Sequence, residues 1–168
     1  VVITGPESCG KTTLARQLAG HWEAPLVNEA ARDYLQRKDS YQESDLLEIA
    51  KLQSAMEQEK KVISAEKLVC DTDLLVILIW SEVKYGRCDP WIRETLENCF
   101  NKKSLTRHYI LCDPKIPWQQ DRLRENPYNR DELFAVYLKK LKDYKLAYSI
   151  VRGGPQERFQ QALDCFKY

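Results

Sequence analysis

No apolar run in this sequence approaches the roughly 20 residues that a membrane-spanning helix needs. The longest candidate, residues 74–80, has the length of a core segment. The six cysteines, at positions 9, 70, 88, 99, 112 and 165, form no Cys-x-x-Cys pair, and neither His21 nor His108 flanks a cysteine cluster. Zinc-ligand spacing is therefore absent. Cys70 and Cys112 sit in apolar runs, where thiols behave as small hydrophobes. The expectation is reduced, structural cysteines in a cytoplasmic protein. An excess of one charge is also missing, because 26 basic residues face 25 acidic ones and the net charge is +1. That balance excludes bulk electrostatic attachment to nucleic acid or to an anionic membrane. No basic stripe interleaves with aromatics, so no nucleic-acid partner is expected. There is no repeat, no low-complexity tract and no visible secretory leader. The chain opens Val1-Val2-Ile3 without Met, which leaves room for residues ahead of it.

What is present suits one domain. The chain has 168 residues, of which 43% are hydrophobic, enough to bury a core. Short apolar runs alternate with longer helical patterns. Residues 1–4, 25–28, 67–70, 107–112 and 148–151 read as strands. Residues 11–22, 44–65, 130–144 and 155–166 read as helices, with a further helical pair around 74–85 and 90–101. Strands separated by helices need crossover connections, which predicts an α/β fold with a mainly parallel, five-stranded sheet covered on both faces. Residues 114–129 differ, with Pro114, Pro117 and Pro127, little apolar content and several charges. That composition predicts an exposed, mobile insertion inside the single domain.

The segment Gly5-Pro6-Glu7-Ser8-Cys9-Gly10-Lys11-Thr12 matches G-x-x-x-x-G-K-[ST] in full and stands between a predicted strand and a predicted helix. Glycines at both ends let the backbone curl so that its N–H groups point at phosphate oxygens. The new helix adds the positive end of its dipole. Lys11 would reach the β- and γ-phosphates of ATP, and Thr12 would offer a hydroxyl to Mg²⁺. Residues 5–13, through Thr13, are the expected nucleotide-binding set.

A second magnesium contact usually comes from an acid at the end of another strand. Asp71 follows the third strand and is the candidate, for metal or for catalysis. Asp73, two residues on, reads equally as a substrate contact or as a helix cap. Glu29 follows the second strand and stands three residues before Arg32, so on a helix the two share a face. Both are candidate substrate contacts, with a surface ion pair as the alternative. The insertion carries Trp118, Asp121, Arg122, Arg124 and Arg130. Phosphoryl transfer needs positive charge over the moving phosphate, often delivered by a flap, so residues 114–129 read as a lid, with Arg124 as a catalytic and Arg122 as a nucleotide-binding candidate.

Four segments taken in order resemble a known family: the phosphate loop, Glu29-Ala30-Ala31-Arg32-Asp33-Tyr34, Asp71-Thr72-Asp73, and Pro117-Trp118 with Asp121 and Arg124. The combination is similar to the ribosylnicotinamide kinase domain of NadR-type proteins, over essentially the whole chain. The lid reads Asp121-Arg122-Leu123-Arg124, where that pattern carries a small residue after the Asp. The resemblance implies a nucleoside-kinase-like fold with a lid. It also implies ATP-dependent phosphorylation of the ribose 5′-hydroxyl of nicotinamide riboside, as in NAD biosynthesis by salvage. One of Glu29, Asp71 and Asp73 would then take the hydroxyl proton. Tyr34, Trp80, Tyr85 and Trp91 are the aromatics available to face a cationic nicotinamide ring. The open alternatives are a kinase for another nucleoside or small metabolite, and a regulatory nucleotide-binding module.

Overall fold

The computed structural model describes every residue except 37, 64–66, 102–105, 122, 123, 126 and 168. The strands are β1 (Val2–Thr4), β2 (Leu26–Val27), β3 (Val69–Asp71), β4 (His108–Cys112) and β5 (Ala147–Val151). The helices are α1 (Lys11–His21), α2 (Ala30–Leu35), α3 (Glu43–Ile63), α4 (Leu74–Tyr85), α5 (Pro90–Phe100), α6 (Arg130–Asp143) and α7 (Pro155–Asp164). The five strands form one sheet in the order β2-β3-β1-β4-β5, with every pairing parallel. β1 lies at the centre, with Val2 in register with Cys70 on one side and with Tyr109 on the other.

Strand alternation divides the apolar residues between two cores. Val2, Cys70, Tyr109 and Leu111 face a core built with α2 to α6. Ile3, Val69, Ile110 and Cys112 face a smaller core built with α1 and α7. Both faces are therefore covered, as a parallel sheet requires. α4 buries Leu74, Leu75, Ile77, Leu78 and Ile79, so it is apolar nearly all round and runs through the larger core. Among the described residues, no helix is long and apolar enough to cross a membrane. All six cysteines are free thiols.

The predicted elements are present, with shifts at their ends. β3 includes Asp71, and the described part of α3 ends at Ile63, so the predicted residues 64 and 65 lie outside the described residues. α2 has no counterpart among the predicted elements. Its six residues bury only Ala30 and Leu35, too few for a periodic apolar signal.

Candidate active site

The loop after β1 takes the conformation that its glycines permit. Gly5 has φ 136°, and a Cβ there would stand 2.8 Å from the Cys112 carbonyl oxygen. Gly10 has φ 82° and leads directly into α1. Lys11 folds back over the loop, its Nζ donating to the carbonyl oxygens of Gly5 (3.0 Å) and Pro6 (2.8 Å). Burial opposes its charge, but Cys9, Tyr137, Glu29 and Asp71 around it outweigh that and raise its pKa. Cys9 is fully buried beneath the loop. Burial resists its ionisation, yet a hydrogen bond with Cys112 and the charges of Lys11 and Arg158 bring it down to about 7.

Arg158 of α7 holds the loop and is 3% exposed. Its Nη1 donates to the Cys9 carbonyl, Nη2 to that of Asp113 (2.7 Å) and Nε to that of Gly153 (2.6 Å). Nothing near position 158 in the sequence signals this role, because Cys9 and Asp113 lie far away along the chain.

The two strand-end carboxylates meet the loop from the side. Asp71 is 2% exposed, with the Thr12 hydroxyl near enough to favour its charged form. Its Oδ1 is buried without a hydrogen-bond partner among the described residues. A buried carboxylate oxygen left over beside a hydroxyl, at the mouth of a phosphate loop, suits a hard cation that takes its other ligands from phosphate and water. Among the described residues, no cluster of three or more His, Cys, Asp or Glu could hold a metal by itself. Burial raises the Asp71 carboxyl, with Thr12 and Lys11 pulling the other way. Glu29 immediately precedes α2. Burial raises its carboxyl too, opposed by Lys11 and reinforced by Asp71.

Asp73 is a correction. It does not reach the cavity. Thr72 has φ 75°, which breaks the strand alternation and sends Asp73 into the larger core. There its Oδ1 accepts from the Leu75 N–H (3.0 Å), capping α4, while Oδ2 accepts from Tyr109 Oη (2.6 Å) and Arg107 Nη1 (3.1 Å). Its carboxylate is spent on structure, as the helix-cap reading allowed.

A cavity of about 540 Å³ extends from the loop, past Glu29 and Arg32, between α2 and α4. Its far wall is apolar, with Leu35, Val76, Ile79 and Trp80. Of the four candidate aromatics only Trp80 lines it. Tyr34 instead donates to Asp45 (2.8 Å), Tyr85 packs on the larger core and Trp91 is at the surface. Tyr137, from α6, lines the cavity and was not legible in the sequence.

Gln119, Arg124 and Glu125, from the described part of segment 114–129, lie against the loop. The Gln119 N–H (3.0 Å) and Arg124 Nη1 (3.3 Å) both donate to Ser8 Oγ, and the Glu125 N–H donates to Glu7 Oε2 (2.9 Å). Arg130 Nη1 donates to the Ser8 carbonyl (3.3 Å). Glu29 and Arg32 both line the cavity, and Arg32 pairs with Asp121 (3.0 Å) and not with Glu29, the ion pair that stood as the alternative. Lys84 pairs with Glu125 (2.8 Å). Arg122 lies outside the described residues.

The AAA domain family matches residues 1–158. The chain belongs to that family. No protein of curated function matches the sequence. Among solved structures, a NadR protein in complex with NAD and AMP-PNP superposes with a TM-score of 0.73 at 22% identity, over 97% of this chain and 47% of that one. A NadR protein in complex with NR gives 0.71 at 22% identity, over 97% and 48%. Deoxyadenosine kinase from M. mycoides, with products dCMP and a flexible dCDP bound, gives 0.58 at 14% identity, over 98% and 96%. The chain thus spans about half the length of the NadR chains it matches. The likeness is one of fold, a parallel five-stranded P-loop kinase-like sheet, and it agrees with the resemblance carried by the four sequence segments.

Proposed function

We propose that this AAA-family domain is an ATP-dependent kinase that transfers the γ-phosphoryl group to the ribose 5′-hydroxyl of nicotinamide riboside, giving nicotinamide mononucleotide. The observation that carries this is the convergence of Lys11, Thr12 and Glu29 on one cavity with an apolar far wall, with the Asp71 carboxylate buried close to Lys11 and Thr12. The whole chain acts as one domain, with 114–129 as its lid. Six free thiols suit a reducing compartment such as the cytoplasm.

Residues 5–13 cradle the phosphates of ATP through backbone N–H groups, and Lys11 meets the β- and γ-phosphates. Thr12 and Asp71 would hold Mg²⁺, which when bound supplies positive charge between phosphate oxygens. Glu29 orients the acceptor hydroxyl and takes its proton as that oxygen attacks phosphorus in line with the departing ADP. Burial raises the Glu29 carboxyl, which brings its proton affinity closer to the operating pH. Arg124 already reaches Ser8 of the loop, and there it can offset charge on the transferring group. Arg32 helps to hold the lid over the acceptor.

Nicotinamide riboside as acceptor is supported by the motif resemblance and by the NadR complex with NR. A cationic ring also suits this cavity on physical grounds. The Glu29 carboxylate on its lining, with Asp71 buried nearby, attracts it, and Trp80 is an aromatic on the wall. ADP release measured with ATP and Mg²⁺ against a nucleoside panel should give nicotinamide riboside the highest kcat/KM. Preference for a neutral purine or pyrimidine nucleoside would replace the acceptor and leave the kinase. Slow hydrolysis indifferent to every acceptor would point to a regulatory ATPase instead.

Arg124→Ala should lower kcat by about a hundredfold, with a smaller rise in the KM for ATP, because the charge it meets grows in the transition state. Steady-state kinetics at saturating acceptor separates the two effects. Near-normal kcat would return Arg124 to a surface role.

A further inference from the structure

Gln53 is a glutamine on the buried face of α3, 2% exposed and close in sequence to Leu46, Ile49 and Ala50 of the larger core. An apolar residue would fill such a position more simply, since burying an amide is costly unless it is fully hydrogen-bonded. Its amide is engaged three times. Oε1 accepts from the Ala30 N–H (2.8 Å), and Nε2 donates to the carbonyls of Asn28 (3.3 Å) and Thr72 (3.5 Å). Asn28 and Ala30 flank Glu29, and Thr72 follows Asp71. One side chain therefore grips both carboxylate-bearing turns.

The β2–β3 pairing runs Leu26 with Val69 and Val27 with Cys70, and Gln53 bridges the two strands just beyond it. The turn after β3 also needs holding. Thr72 is a β-branched residue at φ 75°, a conformation that persists only where its surroundings fix it. Its N–H donates to the Ile3 carbonyl (3.0 Å), and its own carbonyl takes the Gln53 amide.

We propose that Gln53 is a positioning residue for phosphoryl transfer: it sets the separation and orientation of Glu29 and Asp71 by spanning the two turns that carry them. The proposal rests on the reading of those two carboxylates as acceptor-side and metal-side groups. The rival role is simpler. The Ala30 N–H is an orphan donor at the start of α2, whose N-cap residue makes no side-chain cap, so Gln53 would serve as a cap borrowed from α3.

Gln53→Glu separates the two roles, because it keeps an acceptor for Ala30 and loses the paired amide donors to Asn28 and Thr72. Gln53→Met keeps the volume and loses all three bonds. Each variant should show kcat at saturating substrates reduced about tenfold to a hundredfold, with the Kd for ATP within about twofold of the parent. Hydrogen–deuterium exchange should quicken about tenfold or more in peptides covering both 28–30 and 71–73, while peptides covering 5–12 keep their protection. Unchanged kcat and unchanged exchange at 71–73 in Gln53→Glu would reduce the residue to a helix cap and overturn the proposal. Absence of acceptor-dependent turnover in the parent protein would overturn the kinase reading instead. The exchange arm still decides the span in that case: joint loosening of both turns supports it, and an undisturbed 71–73 refutes it.

Discussion

Lys11→Ala is expected to lower phosphoryl transfer by about a thousandfold or more while leaving the protein folded. The ammonium is the cation at the mouth of the phosphate loop, with its Nζ on the Gly5 and Pro6 carbonyls. Those two bonds are made by a group that ATP would redirect, so their loss costs the resting protein little. The loop does not depend on Lys11 for its shape. Arg158 grips it at Cys9 and Arg130 grips it at Ser8. Removing the charge has a second effect. Lys11 lowers the pKa of both Glu29 and Asp71, so its loss makes both carboxylates harder to ionise. Acceptor deprotonation is then weakened along with phosphate neutralisation. Lys11→Arg should also be poor, because a planar fork does not replace a compact point charge where a single ammonium meets two phosphates. A coupled assay of ADP release reads the activity, and thermal unfolding within a few degrees of the parent certifies the fold. A folded Lys11→Ala protein with normal turnover would remove the phosphate site from this loop.

The phosphate loop was legible because its chemistry is contiguous: eight residues in sequence make the turn, the helix start and the lysine. Strand ends were legible for a related reason, since a parallel sheet delivers the ends of β2 and β3 to the same edge as the loop. Spacing could not separate Asp71 from Asp73. The distinction rests on the positive φ of Thr72, which no residue preference foretells for a threonine. Trp80 could not be told from Tyr34, Tyr85 and Trp91, because all four are aromatic residues on or near helices and only packing decides which faces the cavity. Arg158, Tyr137 and Gln53 were out of reach. Each meets the site from an element distant in the chain, and each looks locally like an ordinary helix residue.

Glu29→Gln and Asp71→Asn should each cut acceptor phosphorylation about a hundredfold or more, with ATP binding retained. The two variants should fail in different ways. Asp71→Asn weakens the group beside Thr12, so its half-maximal rate should need more Mg²⁺. Glu29→Gln removes the proton acceptor, so added Mg²⁺ should not restore it. The pH profile fixes the sign. A base must be ionised to act, so the parent rate is lost as pH falls through the Glu29 pKa. Burial raises that pKa, so the acid limb should lie above the ordinary glutamate value of about 4.3, and it should vanish in Glu29→Gln. Stability should move the opposite way. An acid whose folded pKa is raised binds protons more readily folded than unfolded, so ionising it weakens the fold as pH rises from the unfolded value through the folded one. Glu29→Gln should therefore melt no lower than the parent at neutral pH, and any gain should disappear below about pH 4. Activity lost with stability kept marks a carboxylate held in place for chemistry. Unchanged turnover in both variants would take the acceptor site away from this edge of the sheet.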